Sequence, residues 1–187
     1  MNKVFTDSDY NSGDGMLTSV WGPSMWHTLH TISFNYPIKP DKNEKENYFN
    51  FFKNLVHILP CRYCRENYTK NLKAVPLTKN TMKNRESLSR WLFSIHEEVN
   101  KMLGKTSGLT YEDVRNRYEI FRARCIDDRK GKKKKKKSSR KKKVVPKVES
   151  GCVKPLYGVR SKCVLSIVPK TKKCKSFKID PKCALKR

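Results

Sequence analysis

The sequence contains no apolar run of the roughly 20 residues that a transmembrane helix needs. Residues 1–19 are polar and rich in Gly, Ser and Asp, so they lack the apolar core of a secretory signal peptide. No Gly-x-Gly-x-x-Gly motif occurs, which excludes a dinucleotide site of the Rossmann type. We therefore expect a protein without a membrane span that is not secreted and stays in a cytosol-like compartment.

Acidic residues are scarce in the last third of the chain. Residues 129–187 hold 24 Lys/Arg against 2 Asp/Glu, whereas residues 1–128 hold 19 against 15. The run at residues 132–143 repels itself and cannot form a core, which predicts an extended, largely disordered linker. The predicted divisions are a flexible segment at 1–20, a globular domain at 21–126, a Lys/Arg-rich linker at 127–147 and a Cys-containing basic tail at 148–187.

Convincing strand patterns are missing before residue 140, and helical periodicity takes their place. A first helix is predicted from Trp21, with Pro23 in its first turn, to the break at Tyr36-Pro37. The strongest periodicity ends at Gly104, which predicts the end of a long amphipathic helix. The other predicted helices cover about 44–58, 60–72 and 111–124. This pattern predicts a small all-α bundle.

The chain has seven cysteines, an odd number, in a compartment where structural disulfides are uncommon. Cys61 and Cys64 follow Pro60 at a spacing that lets both thiols lie on one side of a helix's first turn. The positive end of that helix, with Arg62 and Arg65, would favour thiolates and a readily exchanged disulfide. Half of a zinc site, or two unrelated buried cysteines, would show the same spacing.

Two further pairs of side chains lie four residues apart, hence on one helix face: Trp26 with His30, and His96 with Asn100. Lys105 follows the second pair just after the helix end. A histidine at the edge of the core, satisfied by an asparagine, also explains the second pair. Aromatic, imidazole, amide and lysine groups around a Cys-x-x-Cys would suit a large planar dinucleotide, which needs ring stacking and phosphate neutralisation.

Four motifs in register resemble the Erv/ALR family of FAD-linked sulfhydryl oxidases over roughly residues 20–125. They are Trp21-Gly22-Pro23-x-x-Trp26-x-x-Leu29-His30, Tyr36-Pro37, Leu59-Pro60-Cys61-x-x-Cys64 and His96-x-x-Val99-Asn100-Lys101-x-Leu103-Gly104-Lys105. The run from Pro60 to Tyr68 and the late segment from Tyr118 to Cys125 are most similar to the versions in large cytoplasmic DNA viruses. A viral protein of this kind would lie in the host cytoplasm and in the virion.

The resemblance implies an all-α fold, a four-helix bundle with a short fifth helix, that binds FAD noncovalently and usually forms a homodimer. It implies that Cys64 is the thiol beside the flavin and that Cys61 meets the substrate. Trp91 is better explained as a core residue, and no metal is expected. The positions implied to bind FAD are Gly22, Trp26, His30, His96, Val99, Asn100, Lys101, Leu103 and Lys105.

The implied reaction is the formation of disulfides in reduced protein dithiols, a thioredoxin-like carrier among the candidates. One substrate thiolate attacks the Cys61–Cys64 disulfide at Cys61, and the second substrate thiol resolves the mixed disulfide. Electrons then pass to FAD and on to O2, which yields H2O2. This makes the protein a thiol:oxygen oxidoreductase.

Two positions depart from the family pattern. Cellular members carry a further structural disulfide around the helix that corresponds to the one with His96 and Asn100, but this sequence has only Cys125 in that region. The brace is therefore expected to be missing or to link two chains. The asparagine that usually follows the histidine is Glu97 here, which changes one contact on the flavin side.

The tail carries Cys152, Cys163, Cys174 and Cys183. By resemblance they are candidates for a mobile shuttle that relays electrons from the substrate to the core. Two structural disulfides that staple a small tail explain them equally well. Zinc is a third alternative, although spacings of about ten residues do not resemble common zinc pairs.

The rival to an oxidase is a basic nucleic-acid-binding or packaging protein with structural or zinc-binding cysteines. The lysine run at 132–143 would bind any polyanion in a salt-dependent way. Few aromatic residues interleave with these lysines, so base recognition is not indicated. We treat nonspecific polyanion binding as an accessory property.

Overall fold

A computed structural model of the chain describes residues 5–126, 151–174 and 178–183. The chain divides into two units, Met1–Arg115 and Asn116–Arg187. The predicted basic linker at 127–147 lies outside the described residues.

The first unit is helical, and its described part contains no strand. Helix α2 packs against α5, α3 against α4, and α4 against α5, which confirms the predicted all-α bundle. None of the described helices is long and apolar enough to cross a membrane. The helices are α1 (Asp7–Tyr10), α2 (Thr18–Asn35), α3 (Lys42–Ile58), α4 (Arg62–Ala74), α5 (Arg85–Met102) and α6 (Tyr111–Glu119), the last of which continues into the second unit.

Side-chain caps define where the main helices begin. Asp41 and Glu44 form a capping box at α3, and Asn84 and Ser87 form one at α5. Each pair satisfies two backbone N–H groups that the first turn leaves without partners. At α4 the capping residue is Cys61, so a predicted redox cysteine starts its own helix.

The core lies between α2, α3, α4 and α5, and three of its aromatic side chains donate hydrogen bonds to backbone carbonyls. The hydroxyl of the fully buried Tyr36 donates to the carbonyl of Met82 at 2.9 Å. The hydroxyl of Tyr68 donates to the carbonyl of Phe52 at 3.0 Å. Trp91 is buried with its indole N–H bonded to the Val75 carbonyl at 3.2 Å, as its interpretation as a core residue requires.

The start of the first helix differs from the prediction. Helix α2 begins at Thr18, three residues before Trp21, so Pro23 lies inside it. Proline lacks an N–H, and so close to the helix start this removes a single backbone bond. The preceding residues, predicted as a flexible lead-in, contain α1 and an antiparallel bridge between Gly15 and Cys61.

The second unit corrects the prediction for the last helix, which ends at Glu119 instead of Arg124. The strand β1 (Ala123–Ile126) follows and pairs antiparallel with β2 (Gly151–Pro155). Helical spacing of apolar residues in a short stretch of sequence cannot reveal a strand whose pairing partner lies beyond the linker. This strand also contradicts the expectation that none precedes residue 140.

A disulfide joins Cys125 to Cys152 across the two strands. The partner of Cys125 is therefore in the same chain, which contradicts the expected alternative of a link between chains. Both cysteines follow α5 in the sequence, so this bond is not the family's brace around that helix. A tail this short and this charged needs cross-links to fold independently, and this bond supplies one. A 3₁₀ turn, Pro181–Cys183, lies close to Gly158, with the N–H of Val159 bonded to the Lys182 carbonyl at 3.0 Å.

Candidate active site

Cys61 and Cys64 are free thiols at the start of α4, and both are half-buried. The backbone N–H of Cys64 donates to the sulfur of Cys61 at 3.3 Å, which is the capping contact of the helix. Cys64 also packs against the apolar core of the bundle. Cys61 is therefore the more approachable sulfur of the pair.

The two thiols differ in their pKa. Burial opposes ionisation of Cys61, but hydrogen bonds from the Cys64 thiol, the Cys64 N–H, the Thr18 hydroxyl and the Tyr63 N–H outweigh it, so the pKa of Cys61 is lowered. Burial raises the pKa of Cys64, and its hydrogen bond to Cys61 raises that pKa further. In the reduced pair Cys61 therefore ionises before Cys64, whose thiol donates to the Cys61 sulfur.

The two arginines beside the cysteines act differently from each other. Arg65 donates to the Leu59 carbonyl at 2.6 Å and lowers the pKa of Cys64 by its charge, a smaller effect than that of burial. The guanidinium of Arg62 lies 3.7 Å from the Asp14 carboxylate and over the ring of Tyr63. The sequence predicts that the arginine charges stabilise the thiolates, but much of this stabilisation comes from hydrogen bonds instead.

Trp26, His30 and His96 form a cluster of rings between α2 and α5. The rings of Trp26 and His96 are stacked, with centroids 3.8 Å apart and planes 6° from parallel. Nε2 of His30 and Nδ1 of His96 are 3.0 Å apart, so one ring nitrogen donates and the other accepts. The i, i+4 pair on α2 and the histidine on α5 therefore belong to one site.

Both histidines of this cluster are uncharged at neutral pH. Burial, with smaller effects of His96 and His27, lowers the pKa of His30 to about 3. Burial lowers the pKa of His96 to about 4, although Glu97 opposes the shift. The cluster is thus a flat, neutral, aromatic surface.

The C-terminal end of α5 carries the amide and the cations that the sequence predicts for the site. The Asn100 side-chain amide donates to the Glu97 carboxylate at 2.9 Å. Glu97, which stands where the family usually has asparagine, therefore positions the Asn100 side chain. The N–H of Lys105 donates to the Asn100 carbonyl at 2.8 Å, in a turn that Gly104 makes with a φ of 63°. The side chains of Lys101 and Lys105 are exposed.

The remaining predicted cofactor positions contribute backbone or packing. Gly22 is buried on α2, where an added Cβ would lie 3.7 Å from the Thr18 methyl group. Val99 accepts the Leu103 N–H at 3.1 Å in the last turn of α5. All nine predicted positions are therefore on α2 or on α5 and the turn that follows it.

The structure separates the four tail cysteines into different environments within the second unit. Cys152 is bonded to Cys125, while Cys163 and Cys174 are exposed free thiols. Cys183 is a half-buried free thiol that lines a cavity of about 310 Å³ together with Cys152. Across residues 5–126, 151–174 and 178–183, no group of three or more His, Cys, Asp or Glu side chains could hold a metal ion.

Sequence reasoning missed Thr18. Its hydroxyl oxygen lies 3.6 Å from the sulfur of Cys64, and it also interacts with Cys61. The residue belongs to no motif and lies in the stretch predicted as a flexible lead-in. No local signal in the sequence could have found it, because the contact spans 46 residues.

Comparisons with known proteins agree with this geometry. Residues 23–119 match the sequence profile of the Erv1/Alr family. The chain is 37% identical over 99 residues to a probable FAD-linked sulfhydryl oxidase of Acanthamoeba polyphaga mimivirus, covering 53% of this chain and 68% of that relative. It is 34% identical over 99 residues to an FAD-linked sulfhydryl oxidase of African swine fever virus, covering 53% of this chain and 80% of the relative.

Among solved structures, the chain is similar to the FAD binding domain of Erv1 from Saccharomyces cerevisiae. The TM-score is 0.50 at 28% sequence identity, and the match covers 55% of this chain and 94% of the other.

Proposed function

Because the chain belongs to the Erv1/Alr family, we propose that it is an FAD-dependent sulfhydryl oxidase that forms disulfides in protein dithiols. One observation carries the proposal. Cys64, of a Cys-x-x-Cys pair whose thiols differ in pKa, packs against the same apolar core as Trp26, which stacks on His96. A dithiol and a neutral ring surface on one core are what a flavin-linked thiol oxidase requires.

The residues of the ring cluster and of the α5 terminus fit FAD. Trp26 and His96 offer a flat neutral surface, and the two lysines after Asn100 offer exposed cations for a pyrophosphate. The Asn100 amide and the His30 ring add polar groups, while Gly22, Val99 and Leu103 add backbone and packing contacts. FAD, when bound, supplies the two-electron chemistry and passes the electrons to O2 to give H2O2.

The chain's own cysteines carry out the thiol step. A substrate thiolate attacks the sulfur of Cys61 in the oxidised pair; the Cys61–Cys64 bond breaks and Cys64 leaves as a thiolate. The second substrate thiolate then attacks the substrate sulfur of the mixed disulfide. Cys61 leaves as a thiolate, which its lowered pKa favours. Two electrons have then passed from the substrate to the Cys61–Cys64 pair.

We extend the proposal to partners. The substrate is a reduced protein dithiol, with a thioredoxin-like carrier as a candidate, and the active form is a homodimer in the host cytoplasm or in the virion. The family resemblance supports these assignments. Light scattering of the purified protein tests the dimer, and a single-chain mass at micromolar concentration would refute it.

We also propose that tail cysteines relay electrons to the core. Cys163 and Cys174 are exposed free thiols, whereas Cys152 is held by Cys125, so the first two are the stronger candidates. A Cys163→Ser/Cys174→Ser variant should oxidise reduced thioredoxin more slowly and dithiothreitol at the normal rate. Equal loss on both substrates, or no loss on either, would contradict a relay.

The activity is tested with the purified full-length chain. We expect the visible absorption of bound oxidised flavin, and uptake of O2 with release of H2O2 when dithiothreitol or reduced thioredoxin is added. Cys64→Ser should abolish the uptake while it keeps the flavin, and the single variant Cys163→Ser should retain uptake with dithiothreitol. A colourless chain that consumes no O2 after incubation with FAD would contradict the proposal.

A further inference from the structure

The segment before α2 lies across the chain at Cys61. Gly15 and Cys61 form an antiparallel bridge. On one side of it the N–H of Met16 donates to the Pro60 carbonyl at 2.6 Å, and on the other the N–H of Arg62 donates to the Asp14 carbonyl at 3.2 Å. Residues 14–16 therefore form a strap over the segment that begins α4.

Glycine is required at the centre of this strap. Gly15 has a φ of 104°, and a Cβ there would lie 2.4 Å from the Pro60 carbonyl oxygen. Gly13, two residues earlier, has open space around it. The close approach of the strap to Cys61 thus depends on Gly15 and gives a matched pair of glycines for a test.

The strap is anchored on the other side to α2. The indole N–H of Trp21 donates to the Met16 carbonyl at 3.0 Å. The ion pair between Arg62 and Asp14 is exposed, with 3.7 Å between its charged atoms, so it adds little to this anchoring. Backbone bonds and the indole together fix the position of the residues at the helix start.

Thr18 is the residue that this arrangement brings to the cysteines. It is the first residue of α2, and its hydroxyl oxygen is 3.6 Å from the Cys64 sulfur. A hydroxyl can rotate to donate its single proton to whichever acceptor is charged. The helix does not depend on it as a cap, because the N-cap position is occupied by Leu17.

We propose that Thr18 is a further catalytic residue of the thiol–disulfide step, held in place by the strap, whose hydroxyl donates a hydrogen bond to the sulfur of Cys64 as that sulfur leaves Cys61. The proposal rests on the proposed function, since it assigns a role within the same reaction. The substrate thiolate supplies the electron pair of the new bond to Cys61, and the electron pair of the broken bond stays on Cys64.

The environment of Cys64 shows why such a donor matters. Burial and the neighbouring Cys61 raise the pKa of Cys64, whereas Thr18 and Arg65 lower it. A sulfur with a raised pKa is a poorer leaving group in thiol–disulfide exchange. A hydrogen bond to a developing thiolate is stronger than one to a neutral thiol, so the hydroxyl favours the state in which the disulfide has opened.

The test compares Thr18→Val, which keeps the side-chain shape, with Thr18→Ser, which keeps the hydroxyl, in the full chain. The first readout is the rate at which dithiothreitol reduces the Cys61–Cys64 disulfide. The second is the pH profile of alkylation of each cysteine in the reduced protein, followed by peptide mass spectrometry. We expect Thr18→Val to slow the reduction by roughly 2- to 10-fold, which corresponds to the net contribution of one hydrogen bond. Thr18→Ser should stay near the wild-type rate.

The alkylation profiles of Cys61 and Cys64 should move to higher pH in Thr18→Val and not in Thr18→Ser. Exposed Cys163 serves as the internal reference and should not change. Wild-type behaviour of Thr18→Val, or equal losses in both variants, would overturn the role of the hydroxyl. Circular dichroism of each variant excludes a loss of fold as the cause.

The strap has its own matched variants. Gly15→Ala should displace residues 14–16 and slow the reduction as Thr18→Val does, whereas Gly13→Ala should have no effect. Equal rates for the two glycine variants would overturn the positioning role of the strap. Neither readout needs flavin or O2, so failure of this inference can be told apart from failure of the oxidase proposal, which would show as absent O2 uptake.

Discussion

The ring of Trp26 lies flat on the imidazole of His96, with 3.8 Å between centroids, and His96 is within hydrogen-bonding distance of His30 at 3.0 Å. Two of these rings come from α2 and one from α5. The proposed cofactor surface therefore exists only when these two helices are packed together, and its integrity reports on the fold of the bundle.

Removal of the Trp26 ring should weaken FAD binding. Trp26→Leu takes away the flat surface, and aromatic stacking contributes about 0.5–1.5 kcal/mol beyond area burial, so the Kd should rise by roughly 2- to 10-fold or more. Trp26→Phe should restore most of the affinity, since it keeps a ring. Titration of the flavin-free chain with FAD, followed by flavin fluorescence, measures both, and equal affinities of Trp26→Leu and wild type would contradict the site.

The buried histidines should make the protein sensitive to mild acid. The pKa values of His30 and His96 are about 3 and about 4 in the fold, against 6.5 for exposed histidine. The unfolded state therefore binds more protons below pH 6.5, so stability is full above that pH and falls as pH decreases toward 4. We expect a loss on the order of 2 kcal/mol for each histidine between pH 7 and pH 5, about 4 kcal/mol for the two.

Urea unfolding across this pH range, at a fixed FAD concentration, measures the loss. A His30→Gln/His96→Gln variant should show a flatter pH dependence, because it removes the two groups that must be protonated. Exposed His57 provides the control, and His57→Gln should keep the wild-type slope. The same slope in the double variant as in wild type would show that other groups cause the acid sensitivity.

The Cys125–Cys152 disulfide should stabilise the strand pair of the second unit. Its cysteines are 27 residues apart, and closing a loop of that length lowers the free energy of folding by roughly 3–4 kcal/mol in the chain-entropy view. Cys152→Ser should therefore speed proteolysis within residues 151–155, while Cys174→Ser should not. A non-reducing digest should join the peptides of Cys125 and Cys152, and a Cys125–Cys125 link between chains would contradict the pairing.

The sequence predicted the helices of the bundle and the two side-chain pairs of the site because both depend on local patterns. Apolar spacing placed Leu88, Trp91 and Ile95 on one buried face of α5. The four-residue steps from Trp26 to His30 and from His96 to Asn100 put each pair on one helix face, and motif order then linked the two helices. Helical periodicity is a short-range property, so no tertiary contact was needed.

What the sequence could not predict depends on contacts between distant segments. The strap requires Gly15 to meet Cys61, and nothing near Gly15 indicates its partner. The predicted last helix includes the first two residues of strand β1, because the pairing partner of this strand, β2, follows the basic linker. The pairing of Cys125 with Cys152 has the same origin, since cysteine spacing alone does not fix connectivity.

The central claim is that Cys61 and Cys64 pass electrons from a dithiol to FAD, and anaerobic mixing tests it most directly. The flavin-loaded chain is mixed with excess dithiothreitol in the absence of O2, and the visible absorption of oxidised FAD is followed over time. We predict rapid bleaching in wild type and in Cys163→Ser, and a persistent yellow colour in Cys64→Ser with its flavin still bound. Bleaching of Cys64→Ser at the wild-type rate, or no bleaching of wild type, would contradict the account.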